Sequence, residues 1–142
     1  MTREEINRYI HVEIMDKCWH EWDAGRTEKL NGRREFWYSC KLCNQQVGSM
    51  QVFGLHPDYC SDESPRRLMH EVEEAVIELL RLTVKNPRVI YCRYLMVANG
   101  FSFDDLGYLY EQVIRSTAEQ RAKACVDAHK ASKGQPTGEE NV

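Results

Sequence analysis

The sequence predicts an α+β fold, with a small metal-organised β-ribbon packed on a mainly helical body of about four to five helices. Three observations carry this expectation. Cys18-Trp19-His20 and Cys40-Lys41-Leu42-Cys43 set four soft or borderline metal donors in two close pairs, each able to close a small chelate ring on one tetrahedral ion. Between the pairs, aromatic stretches flank Asn31-Gly32, a strong hairpin-turn signal. Beyond residue 64, apolar residues recur at helical spacing.

In chain order, Thr2-Arg3-Glu4-Glu5 reads as a capping box, and Ile6, Tyr9, Ile10 and Ile14 continue one helical face over 3–15. Trp19 and Trp22, then Phe36, Trp37 and Tyr38, mark two strands with the donor pairs at their ends, and residues 47–55 offer a further strand. Residues 56–65 form a loop. Ser64-Pro65 then supplies an N-cap with proline at the first helical position, opening a helix over 65–82 that buries Leu68, Val72, Val76 and Leu79. Asn86-Pro87 starts and Asn99-Gly100 stops a further helix, for which a strand is the alternative because Val, Ile and Tyr suit both. A helix is expected over 101–115, with Ser102 and Asp105 at capping-box spacing. Another opens at the capping box Thr117-Ala118-Glu119-Gln120 and runs to Ala131. One domain is thus drawn over 1–131 (helix 3–15, zinc ribbon 17–55, helical part 64–131), with a disordered polar tail at 132–142.

Composition narrows the function classes. The charge of −3 over 142 residues disfavours generic nucleic-acid binding, which calls for a basic stripe; the only basic doublets are Arg33-Arg34 and Arg66-Arg67. No apolar run approaches the roughly 20 residues that cross a bilayer. The polar N-terminal helix lacks a secretory apolar stretch, so a reducing cytosol is expected. There the six cysteines read as metal ligands plus buried thiols, with Cys92 and Cys125 on apolar faces.

Three patches resemble known sequences. Residues 10–22, from Ile10 through Cys18-Trp19-His20-Glu21-Trp22, are similar to the opening of many short bacteriophage-encoded proteins, in which a Cys-x-x-Cys pair follows. His56-Pro57-Asp58-Tyr59-Cys60-Ser61-Asp62 resembles the loop before a helix in phage α-β-α sandwich domain proteins, with Cys60 in place of the usual small hydroxyl residue. Ser116-Thr117-Ala118-Glu119-Gln120-Arg121-Ala122-Lys123-Ala124 resembles their C-terminal helix. The resemblance implies a phage origin and expression in a bacterial host cytosol, and says little about activity.

Weighed against four unrelated buried residues, Cys18, His20, Cys40 and Cys43 are better read as the ligands of one structural zinc. Four protein donors leave no open position for water or substrate. His56 and Cys60 are lesser candidates for a ligand. A deaminase-like reading through His11-Val12-Glu13 and Cys40-x-x-Cys43 fails because Ser39 stands where proline belongs and His11 would have to displace Cys18 and His20. Glu71, Glu73, Glu74 and Glu78 are expected on a solvated face, His70 and His129 at the surface, and Asp104-Asp105 at a helix cap. No nucleophile–base pair or phosphate loop is present in the sequence. The expectation is a non-enzymatic, zinc-stabilised binding protein acting stoichiometrically on a host component, such as a bacterial defence system, with a protein or small signalling nucleotide as target. The alternative is a zinc-ribbon nucleic-acid or transcription accessory protein. Trp22, Arg33, Arg34, Trp37 and Tyr38 are the candidate partner-binding residues in either case.

Overall fold

The computed structural model describes residues 1–30, 32–48, 56–100 and 116–134, with side chains described outside 24–30 and 33–36. It is an α+β structure that divides into two compact units, Met1–Asp16 with Asp58–Val142, and Lys17–Pro57. No described helix is long and apolar enough to cross a membrane.

The helical unit begins with α1 (Arg3–Tyr9). Its capping box is complete: Thr2 accepts from the Glu5 N–H, and the Glu5 carboxylate accepts from the Thr2 N–H at 2.6 Å. The expected helix to residue 15 changes character after Tyr9. Ile10–Ile14 is a π-turn in which the Met15 N–H reaches the Ile10 carbonyl at 2.9 Å, and Asp16 stops it at φ +53°. Ile6 and Ile10 enter the core.

Helix α2 (Arg66–Arg81) carries Met69, Val72, Val76, Ile77 and Leu80 on its buried face, while Leu68 and Leu79 are only half-buried. Its start differs from the sequence expectation. Pro65 is the N-cap, because the Ser64 hydroxyl donates to the Asp58 carbonyl at 2.6 Å instead of capping. Helix α3 (Pro87–Ala98) has proline in its first turn and ends at Asn99, with Gly100 at φ +84° giving the left-handed exit. The helical reading wins there over the strand.

Helix α4 (Ala118–Ser132) is opened by the Thr117–Gln120 capping box. Its buried stripe of Ala122, Ala124, Cys125, Val126 and Ala128 is small enough for α2 and α3 to pack closely against it.

Two corrections concern polar residues. Glu73 does not lie on a solvated face: it is 9% exposed, accepting from the Tyr91 hydroxyl and paired with the Arg121 guanidinium. Cys125 Sγ extends this network by donating to the Tyr91 hydroxyl oxygen at 3.8 Å. His129 is not a surface residue either. It is 3% exposed, with Nδ1 2.8 Å from the Tyr9 hydroxyl. Burial holds the Tyr9 phenol up at about 12 and pushes the His129 imidazole down, so both members of the pair are held neutral.

The second unit is a three-stranded antiparallel sheet in the order β1 (Trp22–Leu30), β2 (Arg33–Cys40), β3 (Gln46–Gly48). Leu30 pairs with Arg33, leaving the two-residue Asn31-Gly32 connection, and Gly32 at φ +78° takes the positive dihedral that such a turn requires. A register shift between Ala24 and Thr27, the mark of a bulge, falls opposite Trp37. The expected strand over 47–55 is described only at its beginning. The expected helix over 101–115, Asp104-Asp105 within it, and the tail beyond Gly134 lie outside the described residues.

Candidate metal centre

Hairpin register builds the centre. Trp22, the first residue of β1, pairs with Cys40, the last of β2, so the segment before β1 runs beside the turn after β2. The Lys41 N–H donates to the Glu21 carbonyl at 2.9 Å and ties the two segments together. Cys18-Trp19-His20 thereby meets Cys40-Lys41-Leu42-Cys43. The second pair sits on a tight turn: Asn44 N–H returns to the Cys40 carbonyl at 2.9 Å, Asn44 adopts φ +61°, and Leu42 N–H donates to Cys40 Sγ at 3.4 Å. Asparagine tolerates that left-handed conformation better than most residues.

One donor atom from each of Cys18, His20, Cys40 and Cys43 lies within 4.8 Å of all the others, close enough to bind a single metal ion. Cys18 Sγ and Cys40 Sγ are 3.7 Å apart, and Cys43 Sγ is 3.5 Å from His20 Nδ1. A tetrahedral ion with sulfur at about 2.3 Å and nitrogen at about 2.05 Å has S···S edges of about 3.8 Å and S···N edges of about 3.5 Å. The two separations are those edges.

Electrostatics favour a cation. Desolvation, with the Cys43 and Cys40 thiols alongside, pushes Cys18 up to about 12. Burial also pushes Cys40 up, but the His20 side chain and backbone hydrogen bonds from Leu42, Cys43 and Glu21 outweigh it and bring that thiol to about 6. Adjacent thiolates repel one another, and a divalent ion at their centre relieves that repulsion and replaces their protons.

Aromatic rings enclose the centre. Trp22 stacks on His20 at 4.7 Å, and buried Trp19 stacks on His56 at 3.8 Å. His56 stands outside the four-donor cluster and supports it, its Nε2–H donating to the His20 backbone carbonyl at 2.9 Å. Sequence reasoning missed this role, for which the only signal was a histidine following the ribbon. Cys60 belongs to the helical unit, buried with its sulfur 4.0 Å from the Arg3 carbonyl. His11 is likewise in the helical unit, with Nδ1 2.9 Å from the Tyr59 hydroxyl. Among the partner-binding candidates, Trp22, Trp37 and Tyr38 are half-buried in the ribbon, whereas the side chains of Arg33 and Arg34 lie outside the described residues.

No protein-family model, curated protein or solved structure matches this chain.

Proposed function

We propose that the four donors hold a structural zinc ion and that the chain is a non-enzymatic binding protein. In this reading it acts stoichiometrically on a component of a bacterial host, with inhibition of a defence system as its role. The observation that carries the reading is the donor set: three thiols and one imidazole with donor atoms within 4.8 Å of one another, two of the separations, 3.7 and 3.5 Å, matching tetrahedral edges. Zinc favours that mixture of sulfur and nitrogen, and a complete set of four leaves no position for a substrate. Such a site contributes folding energy to a ribbon too small to bury much of a core. The host assignment is carried by the resemblance of residues 10–22, 56–62 and 116–124 to bacteriophage-encoded segments.

The test is the dose dependence of a host defence activity titrated with the purified protein. Loss of activity at a fixed molar ratio supports sequestration. Suppression by substoichiometric amounts, with a chemically altered substrate, replaces the reading with an enzyme.

A further inference from the structure

The three sulfur donors of the metal centre differ in their access to solvent. Cys40 is buried and Cys18 half-buried, whereas Cys43 is exposed, on a turn that also presents Lys41 and Leu42 to solvent. We infer that the centre is a peroxide-responsive switch, in which Cys43 is oxidised first and Cys40 converts it to a disulfide that dismantles the site. The inference rests on the zinc reading and deepens it by giving that site a regulation.

A cysteine that responds to peroxide needs an accessible thiolate with a second thiol beside it. Cys43 has both. A metal ligand is deprotonated, so zinc keeps the Cys43 sulfur as thiolate. Its sulfur and that of Cys40 lie within 4.8 Å of each other. Both residues sit on one tight turn, closed by the Asn44 N–H on the Cys40 carbonyl at 2.9 Å, and the Leu42 N–H anchors Cys40 Sγ at 3.4 Å. A bond between them therefore moves no chain segment past another. Cys18 is also close, 3.7 Å from Cys40 between the sulfurs, but it comes from the separate segment before β1. The buried thiols of the helical unit meet oxygens instead: Cys60 the Arg3 carbonyl, and Cys125 the Tyr91 hydroxyl.

The oxidant is hydrogen peroxide. The Cys43 thiolate attacks one peroxide oxygen and the O–O bond breaks. The hydroxide released takes a proton to become water, and Cys43 is left as a sulfenic acid. The Cys40 thiolate then attacks the Cys43 sulfur, so that the S–S bond forms, the S–O bond breaks and a second hydroxide leaves as water after taking a proton. The two sulfurs together lose two electrons, and one peroxide yields two waters. Cys18 and His20 remain as two donors, half of a tetrahedral set and too few to retain the ion. Because binding energy at such a site is folding energy, the ribbon loses its order with its metal.

The experiment treats the zinc-loaded full chain with hydrogen peroxide, following zinc release with a weak chromogenic chelator and mapping disulfides by mass spectrometry after alkylation of free thiols. One zinc should leave per peroxide consumed, with Cys40 and Cys43 joined and Cys60, Cys92 and Cys125 alkylated. Dithiothreitol with added zinc should restore the metal content. Cys43→His keeps four donors but removes the exposed sulfur, and should release zinc at least tenfold more slowly; Cys60→Ala should release it at the wild-type rate. Zinc retained under peroxide overturns the inference, as does release with sulfinic or sulfonic acids and no disulfide. A disulfide that includes Cys18 overturns the role given to Cys40. Should Cys43→His bind no zinc, the wild-type release and mapping decide. Zinc content before peroxide is added tests the metal reading by itself: a loaded centre that resists peroxide overturns this inference alone, and a chain that takes up no zinc overturns both.

Discussion

The sulfur atoms of Cys18 and Cys40 lie 3.7 Å apart across 22 positions of sequence. The β1–β2 register achieves this by pairing Trp22 with Cys40, so sheet pairing gathers the donors of the proposed zinc site. Removing the ion with a strong chelator should therefore melt the ribbon signal in circular dichroism. It should also release three rapidly reacting thiols, those of Cys18, Cys40 and Cys43. Cys60, held up at about 11 by burial, Cys92, also pushed up by burial, and the fully buried Cys125 should stay slow in the folded helical unit. Thiol counting before and after chelation checks this; six fast thiols would mean that the ion holds the whole chain together.

Val72 is fully buried on α2. Val72→Asp places an unpaired carboxylate in the core and should lower the unfolding free energy by on the order of 4 kcal/mol. His70→Asp, on the exposed side of the same helix, should change it by less than about 1 kcal/mol. Denaturant unfolding of both variants measures the contrast.

Glu73 and Arg121 bind α2 to α4 with little exposure of either side chain. Arg121→Met strands the carboxylate and should cost about 3 kcal/mol, whereas Glu73→Leu combined with Arg121→Met should cost markedly less, because no charge is left unpaired. A double-mutant cycle gives the coupling, and strictly additive losses would contradict it.

These residues mark what the sequence could not disclose. Local signals were legible: the Thr2–Glu5 and Thr117–Gln120 boxes, the Asn31-Gly32 turn, the proline opening α3 and the four spaced donors all depend on neighbours within a few positions. Burial of Glu73 depends on Arg121, 48 positions on, and burial of His129 on Tyr9, 120 positions back, so periodicity alone assigned both to solvent. The N-cap of α2 was misplaced for a related reason. The Ser64 hydroxyl donates to the Asp58 carbonyl, six residues earlier, instead of accepting an N–H of its own helix. The π-turn after Tyr9 left no trace in apolar spacing, because Ile6 and Ile10 fall on the buried face in either helix type.

His129 also sets a pH dependence. Burial depresses its pKa in the fold, with the positive charge of Lys133 acting the same way, while Glu13 opposes them. Protonation then favours the unfolded chain, whose histidine titrates near 6.5. The stabilisation is complete above about pH 6.5 and is lost as pH falls through the folded value. Nuclear magnetic resonance titration of the His129 ring should give a midpoint below 6.5, and a midpoint above it would show that the ring is charged in the fold.

The central claim is a single closed zinc site of three sulfurs and one nitrogen. X-ray absorption at the zinc edge, on protein containing one zinc per chain, tests it most directly. The expected first shell is three sulfur atoms at about 2.3 Å and one imidazole nitrogen at about 2.0–2.1 Å, reduced by one sulfur in Cys43→Ser. A shell dominated by oxygen and nitrogen, or one unchanged in Cys43→Ser, would contradict the account.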